Sequence, residues 1–186
     1  ELIEKNYQFR SKSDTEVILA AYDFWGEKSF NLFNGMWGLI IYDLKKNKLV
    51  ACRDRYGVKP LYYTQNNRYF GFSSELKTLL LDPNLSRSID YSALNDYLTY
   101  LWCPAPKTPL EGIKKLEPGH FLIIRDGKIC KKYQYYDIPL KKISSTKKVD
   151  INDLVFEAKY RIKTAVERQM MSDVPIGAFL SGGLDS

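Results

Sequence analysis

The most informative stretch of the chain reads Met36-Trp37-Gly38-Leu39-Ile40-Ile41-Tyr42 and is continuously apolar. A second apolar run, Leu49-Val50-Ala51-Cys52, follows after the turn-like segment 44–48. Short apolar runs on either side of a turn are typical of paired strands that are buried. The pattern therefore predicts a buried β-hairpin.

Two further strand pairs are expected downstream of this hairpin. Residues 61–63 and 69–72 flank a segment with two asparagines, which turns favour. Residues 121–125 and 128–133 flank Asp126-Gly127, a dipeptide that suits the tight turn of a two-residue hairpin. Because hairpins follow one another along the chain, the sequence predicts an antiparallel sheet.

Helices are expected between these hairpins. Ser13-Asp14-Thr15-Glu16 has the pattern of a capping box, in which a hydroxyl and a glutamate three residues later satisfy amides at a helix start. That helix is expected to end near Trp25. A short helix is expected over 74–81, and Asp90 is a suitable cap for another over 91–101.

The composition changes after Asp137. Residues 138–150 are basic and rich in serine and threonine, which suits a linker between domains. Beyond them, apolar residues recur at helical spacing over 154–170, which predicts an amphipathic helix. The short apolar run 174–180 predicts a strand buried in a parallel sheet. We therefore expect a first domain at 1–137, a linker at 138–150 and the start of a second domain at 151–186.

Composition and charge limit the function classes. The formal net charge of +6 is spread over short lysine pairs, so a solvated surface is expected, with no nucleic-acid or membrane partner. Cys52, Cys103 and Cys130 have irregular spacing and give no disulfide framework, which fits a reducing cytoplasm. The single histidine, His120, argues against a zinc site, and no apolar run has the length of a membrane span.

A glycine-rich loop, Ser181-Gly182-Gly183-Leu184-Asp185-Ser186, directly follows the expected buried strand. Glycines let backbone amides approach an anion closely, and serine hydroxyls add further donors. The pattern predicts a phosphate-binding loop, although a plain glycine turn would also fit these six residues. The Gly-Lys-Ser/Thr ending of ordinary ATPases is missing, so a different type of phosphate loop is implied.

Together with Met171-Ser172-Asp173-Val174-Pro175, this loop resembles the pyrophosphate loop of the glutamine-hydrolysing asparagine synthetase family. The loop is similar to that of the wider superfamily of ATP pyrophosphatases, which cleave ATP between the α- and β-phosphates to adenylate a substrate. The expected cofactors are therefore ATP and Mg²⁺. The resemblance implies that the pyrophosphate is held by Ser181, Gly182, Gly183 and Ser186, that Asp185 helps to place the magnesium ion, and that Leu180 lies near the nucleotide.

Three blocks of the β-rich part resemble class II glutamine amidotransferase domains in order and spacing. They are Phe33-Asn34-Gly35-Met36-Trp37-Gly38-Leu39, Arg53-Asp54-Arg55-Tyr56-Gly57-Val58-Lys59-Pro60-Leu61-Tyr62-Tyr63 and Phe72-Ser73-Ser74-Glu75-Leu76-Lys77. The resemblance implies an α+β fold: part of an antiparallel β sandwich with helices, like that of N-terminal-nucleophile hydrolases, followed by the first helix and strand of an α/β synthetase domain.

The same resemblance implies that Asp14 holds the α-amino group of the substrate glutamine. An aspartate at this position also favours the helix N-terminus through the helix dipole, by about 0.3 to 1 kcal/mol. The two roles are compatible. Arg53, Asp54 and Arg55 are expected to brace their loop as an internal ion-pair cluster and not to form a charged binding site.

Glutaminases of this type use the thiol of an N-terminal cysteine, whereas this chain begins with Glu1. We expect that the true N-terminus precedes Glu1. The nucleophilic cysteine, the arginine that grips the substrate carboxylate and the Asn-Gly pair of the oxyanion hole are expected there too. No catalytic residue is assigned within the chain, and the chain by itself is not expected to hydrolyse glutamine.

The two resemblances together imply a glutamine-dependent carbon–nitrogen ligase of the asparagine synthetase family. Glutamine would supply ammonia in the first domain, and the ammonia would attack a β-aspartyl adenylate in the second, giving asparagine, AMP and pyrophosphate. Glutamine, aspartate and ATP are the expected small-molecule partners, and a homo-oligomer is compatible with the sequence. The alternatives are a related amidotransferase or β-lactam synthetase with another carboxylate acceptor, and a non-catalytic, basic RNA-binding module.

Overall fold

The computed structural model of this 186-residue chain describes residues 1–66, 69–140 and 150–183. The chain divides into two compact units, Glu1–Pro139 and Leu140–Ser186. The helices of the first unit are α1 (Asp14–Trp25), α2 (Leu76–Leu79) and α3 (Tyr91–Tyr100), with short 3₁₀ helices at Ile3–Lys5 and Gly26–Asn31. Its strands are β1 (Gly38–Asp43), β2 (Lys48–Arg53), β3 (Tyr62–Gln65), β4 (Phe70–Ser73), β5 (Ile113–Lys115), β6 (His120–Arg125) and β7 (Lys128–Gln134).

These strands pair antiparallel in two sheets. The four-stranded sheet has the order β1-β2-β6-β7, and the three-stranded sheet has the order β4-β3-β5. The hairpins β1–β2, β3–β4 and β6–β7 are the three that the sequence predicts. A mixed fold of helices and antiparallel sheets is therefore confirmed.

Local backbone conformation explains two of the hairpin turns. Asp126 and Gly127, between β6 and β7, have φ values of 47° and 70°, as expected for the two central residues of a type I′ turn. Asn47, between β1 and β2, has a φ of 44°, a left-handed conformation that asparagine tolerates better than most residues. The β1–β2 register runs from Asp43 opposite Lys48 to Gly38 opposite Arg53.

Strand β2 is buried on both faces. On one face, Val50 and Cys52 belong to a core cluster that includes Tyr22 and Phe30, from α1 and the 3₁₀ helix after it. On the other face, Ala51 packs in a second cluster with residues of both sheets, among them Tyr63 of β3. Since successive side chains of a strand point to opposite faces, a strand in this position must be apolar throughout. This explains the unbroken apolar run that predicts the hairpin.

The start of α1 differs in one respect from the predicted capping box. Ser13 is the N-cap, and its hydroxyl oxygen accepts a hydrogen bond from the Thr15 amide at 3.2 Å. Glu16, however, reaches back past Ser13 and accepts from the amides of Arg10 and Ser11 at 2.8 and 2.7 Å. Hydrogen bonding to Ser11 and Arg10 lowers the pKa of the Glu16 carboxyl. The glutamate thereby fixes the loop that leads into the helix.

The second unit contains one helix among its described residues, α4 (Ile151–Gln169), capped by Asp150, whose carboxylate accepts from the Asn152 amide at 2.8 Å. The predicted amphipathic helix is therefore confirmed. The predicted buried strand at 174–180 is wrong for this structure, because these residues form no strand and are exposed. A strand requires a partner for its backbone groups, and the described part of this unit offers none. No described helix is long and apolar enough to span a membrane.

Gly119 provides a test of the packing after Pro118. Its φ is 66°, its amide donates to Asp54 O at 2.8 Å, and a Cβ atom would lie 2.5 Å from Tyr136 O. Gly119→Ala should lower the free energy of unfolding by about 3 kcal/mol or more, through backbone strain and a clash with backbone. Urea unfolding followed by tryptophan fluorescence measures this change.

Gly112→Ala is the matched control for that substitution. Gly112 has a φ of 79°, but no atom lies within 4 Å of the added Cβ. This variant should lose only about 1 to 2 kcal/mol, the cost of the left-handed conformation for alanine. Equal losses for the two variants would contradict the close approach of Gly119 and Tyr136.

Candidate functional site

A cleft of about 430 Å³ opens beside the N-terminus of α1. Its walls come from the first turn of that helix, from the start of β1, from the loop that joins β2 to β3, and from the residue that follows β4. The cleft therefore gathers segments that are far apart in the sequence. Its lining includes Asp14, Thr15, Trp37, Gly38, Lys59, Pro60 and Ser74.

Asp14 is the charged carboxylate in this lining. It is the first residue of α1 and is exposed, directly after the N-cap Ser13. The Thr15 hydroxyl lies 3.5 Å from Asp14 Oδ1. Asp14 is thus an exposed carboxylate at the edge of a cleft whose volume lies in the range of small-molecule sites.

Asp54 holds two walls of the cleft together. Its side chain is 1% exposed. Oδ2 accepts from the amides of Trp37 at 3.3 Å and Lys59 at 2.9 Å, while Oδ1 accepts from the amides of Tyr56 at 3.1 Å and Val58 at 3.0 Å. The buried carboxylate therefore compensates its lost hydration with four backbone donors.

Arg53, which is positively charged, supports the same loop by donating hydrogen bonds to backbone carbonyls. Its guanidinium donates to the carbonyl oxygens of Lys59 at 2.8 Å, Gly57 at 2.6 Å and Leu116 at 2.6 Å. Burial lowers the pKa of this guanidinium. Arg53 and Asp54 brace the loop through backbone hydrogen bonds, whereas Arg55 donates to Asn31 O at 2.6 Å, outside the loop. The prediction that the three form an ion-pair cluster is wrong. Among the residues that the structure describes, these three side chains take part in no ion pair.

The three cysteines do not have the surroundings of a nucleophile. Cys52 is fully buried, and burial raises the pKa of its thiol to about 12. Cys103 is buried, with its sulfur 3.4 Å from Ala93 O, while Cys130 is exposed on β7. None of the three lines the cleft. An activated thiol needs partial exposure, which the buried Cys52 and Cys103 do not have, and the exposed Cys130 lies outside the cleft.

The loop of the second unit is described only in part. Leu180, Ser181, Gly182 and Gly183 are exposed, and Gly182 has a φ of 79°. The predicted roles of Asp185 and Ser186 concern positions that, like Leu184, lie outside the described residues. Within the described ranges, no group of three or more acidic, cysteine or histidine side chains is placed to hold a metal ion.

Comparison with known proteins identifies the family of the first unit. The family model for a glutamine amidotransferase domain matches residues 1–136. This chain belongs to the glutamine amidotransferase domain family. A second family model, for asparagine synthase, matches residues 157–186 of this amidotransferase chain.

Several relatives of this glutamine amidotransferase chain carry the name asparagine synthetase [glutamine-hydrolyzing]. One from Bacillus subtilis is 39% identical over 100% of this chain and 29% of its own length. A putative one from Methanocaldococcus jannaschii is 41% identical over 100% of this chain and 36% of its own length. The chain thus spans about a third of the length of these relatives. The solved glutamine phosphoribosylpyrophosphate amidotransferase of B. subtilis matches with a TM-score of 0.47 and 20% identity, covering 73% of this chain and 25% of that one.

The other residues that line the cleft with Asp14 are not assigned to a site by sequence reasoning. Trp37 and Gly38 come from the first block used for the family resemblance, Lys59 and Pro60 from the second, and Ser74 from the third. All three blocks therefore meet Asp14 at one cleft. The signal in the sequence was the order of the blocks, but the sequence does not show that their ends are neighbours in space.

Thiol labelling tests the assignment of the cysteines. At pH 8, a maleimide reagent should label Cys130 at the rate of an ordinary exposed thiol, and should label Cys52 and Cys103 only after unfolding. Because the pKa of Cys52 is raised to about 12, its thiol stays protonated in the folded chain even at pH 9. Peptide mapping by mass spectrometry gives the labelled positions. Fast labelling of native Cys52 would contradict its burial.

Proposed function

We propose that the cleft beside Asp14 binds glutamine and that the chain is part of a glutamine-hydrolysing asparagine synthetase. The observation that carries this proposal is the convergence of three separate blocks and the Asp14 carboxylate on one cleft. An exposed carboxylate is a suitable partner for the α-ammonium group of an amino acid. Sequence similarity over the whole chain to proteins named asparagine synthetase supports the reaction.

Glutamine hydrolysis needs a nucleophile, an oxyanion hole and a way to hold the substrate. The described cleft supplies the last of these, through Asp14 and the surrounding walls. Since Cys52, Cys103 and Cys130 do not suit the role, the proposal places the nucleophilic thiol outside these 186 residues. We assign residues 1–137 to a glutaminase domain of the N-terminal-nucleophile hydrolase type, with its antiparallel sheets packed as a sandwich.

The second unit is proposed to begin the ATP-dependent half of the reaction, after a linker at 138–150. Ser181 has a hydroxyl, and Gly182 and Gly183 are exposed residues without side chains, a combination that fits a pyrophosphate group. In the proposal Ser186 joins them, Leu180 lies near the nucleotide and Asp185 helps to place Mg²⁺. When bound, the metal ion would offset the phosphate charge.

The proposed reaction joins the two activities. Ammonia released from glutamine attacks the carbonyl carbon of a β-aspartyl adenylate, and AMP leaves as the new amide bond forms. Asparagine, glutamate, AMP and pyrophosphate are the products. Aspartate is accordingly proposed as the acceptor substrate, and the family assignment favours this enzyme over the RNA-binding alternative.

A second candidate differs in the acceptor. A relative from Gibberella zeae named amidase chry2 is 30% identical over 97% of this chain and 26% of its own length. Similarity over almost the whole chain therefore extends to a relative that is named for another activity. In this alternative, ammonia is transferred to a carboxylate other than that of aspartate.

Replacing Asp14 by asparagine tests the proposed glutamine site. In the gene product that carries these residues, Asp14→Asn should lower kcat/KM for glutamine by about 10- to 100-fold, because a charge-assisted hydrogen bond to the substrate ammonium is lost. Ammonia-supported product formation should stay intact. Glutamate release is the measurement.

Asp23→Asn is the matched control, since Asp23 is also an exposed aspartate of α1 but lies away from the cleft, 3.9 Å from Lys45. It should leave kcat/KM for glutamine within about twofold of the wild-type value. Similar losses in both variants would sink the assignment of Asp14.

Replacing Gly182 tests the proposed phosphate loop. Gly182→Ala forces alanine toward a φ of 79°, at about 1 to 2 kcal/mol, so ATP-dependent pyrophosphate release should fall by roughly tenfold or more. Gly177→Ala adds the same methyl group in open space without a left-handed backbone and should have little effect. Glutaminase activity should be unchanged in both. Pyrophosphate release that Gly182→Ala does not alter would remove the loop from the proposed site.

A further inference from the structure

We infer that Asp54 is a positioning residue for the glutamine cleft, acting through the backbone of Trp37 and Lys59. This inference rests on the proposed function. It concerns a residue that lies behind the walls of the cleft and does not itself line it. Asp54 is therefore expected to determine how well the cleft holds glutamine, without touching the substrate.

The geometry of one oxygen atom carries the inference. Oδ2 of Asp54 accepts from the Trp37 amide at 3.3 Å and from the Lys59 amide at 2.9 Å, and these two residues lie in different walls of the cleft. The Asp54 amide in turn donates to Trp37 O at 2.9 Å. The backbone of Trp37 is thus held on both its amide and its carbonyl side by a single residue.

The two walls approach each other closely just beyond these bonds. A Cβ atom on Gly38 would lie 3.0 Å from Pro60 O. Gly38 directly follows Trp37, and Pro60 directly follows Lys59. The contact between Gly38 and Pro60 is therefore only one residue away, in each segment, from the amides that Asp54 binds. A change at Asp54 is therefore transmitted directly to residues that line the cleft.

Substitution of Asp54 by asparagine keeps the shape of the side chain but changes its hydrogen-bonding groups. The asparagine amide has one acceptor oxygen and one donor group, whereas both carboxylate oxygens accept in the native chain. Whichever way the amide lies, its NH₂ group faces two backbone N–H donors. Either the Trp37–Lys59 pair or the Tyr56–Val58 pair loses its acceptor. The core volume is preserved, so the main expected effect is a shift of the loop.

Asp54→Asn in the gene product that carries these residues should raise KM for glutamine by about tenfold or more, since small displacements of a positioning wall have large effects on substrate binding. kcat at saturating glutamine should fall less than KM rises. Product formation with ammonia as the nitrogen source should stay near the wild-type value. A role in folding alone would lower both activities in proportion and leave KM unchanged.

Asp90→Asn is the matched control. Asp90 also accepts a backbone amide, from Ala93 at 3.0 Å, but it caps α3 and does not line the cleft. It should leave KM for glutamine within about twofold of wild type. An equal rise of KM in Asp90→Asn would overturn the inference, because it would show a general loss of packing.

Asp54→Glu is the second variant, which is used for the test if Asp54→Asn does not fold. It keeps both acceptor oxygens and the charge but displaces them by one methylene, and it should raise KM for glutamine while ammonia-supported activity persists. A KM within about twofold of wild type in a folded Asp54 variant overturns the positioning role alone. A wild-type protein that releases no glutamate from glutamine overturns the proposed function itself, so the two failures are distinguishable.

Discussion

The buried carboxylate of Asp54, with its four backbone amides, is the contact on which the arrangement of the first unit depends. The loop that contains it leaves the four-stranded sheet at Arg53, where β2 ends, and enters the three-stranded sheet at Tyr62, where β3 begins. Most of this loop is exposed, but Asp54 is buried, and a buried polar group must be satisfied by hydrogen bonds. Asp54 collects amides of this loop, and Arg53 collects carbonyls of the same loop. Each charge thus serves the backbone, which explains why the two side chains form no ion pair with each other.

The position of the cleft depends on this loop, which connects the two sheets. The loop brings Lys59 and Pro60 beside Trp37 and Gly38. Helix α1 packs on the four-stranded sheet through its buried Tyr22, and the first turn of the helix lines the cleft. Asp14 then lies at the edge without a structural bond as strong as those of Asp54. A carboxylate with no strong bond to the rest of the fold is available for a ligand. This contrast between the two aspartates is the basis for proposing Asp14 as the substrate contact and Asp54 as the support behind it.

Local features of the fold could be predicted from the sequence, and long-range ones could not. The turn at Asp126-Gly127 and the apolar run of β2 depend on neighbouring residues, so the hairpins follow from the sequence. The pairing of β2 with β6, which sets Ala51 opposite Leu122, joins residues about seventy positions apart and has no local signal. The run 174–180 shows the opposite error, because apolar character predicts burial but does not supply the neighbouring strands that burial requires.

The residues of the candidate site likewise include some that could be predicted from the sequence and some that could not. The phosphate role of the Ser181–Gly183 loop could be predicted from a few adjacent residues, whereas the ligand role of Asp14 was predicted only from the resemblance to a family. The role of Asp54 could not be predicted, since its four bonds are to amides that become neighbours only when the loop folds. The sequence suggested ion pairs for Arg53 and Asp54 because charge is visible in a sequence, whereas the carbonyls and amides that actually satisfy them are present at every position.

The most direct test of the central claim follows the amide nitrogen of glutamine. The gene product that carries these residues is given glutamine labelled with ¹⁵N in the side-chain amide, together with aspartate, ATP and Mg²⁺, and the products are analysed by mass spectrometry. The account predicts ¹⁵N in the side-chain amide of asparagine, with AMP and pyrophosphate formed in equal amounts. Release of AMP and pyrophosphate with another carboxylic acid, and no labelled asparagine, would contradict it.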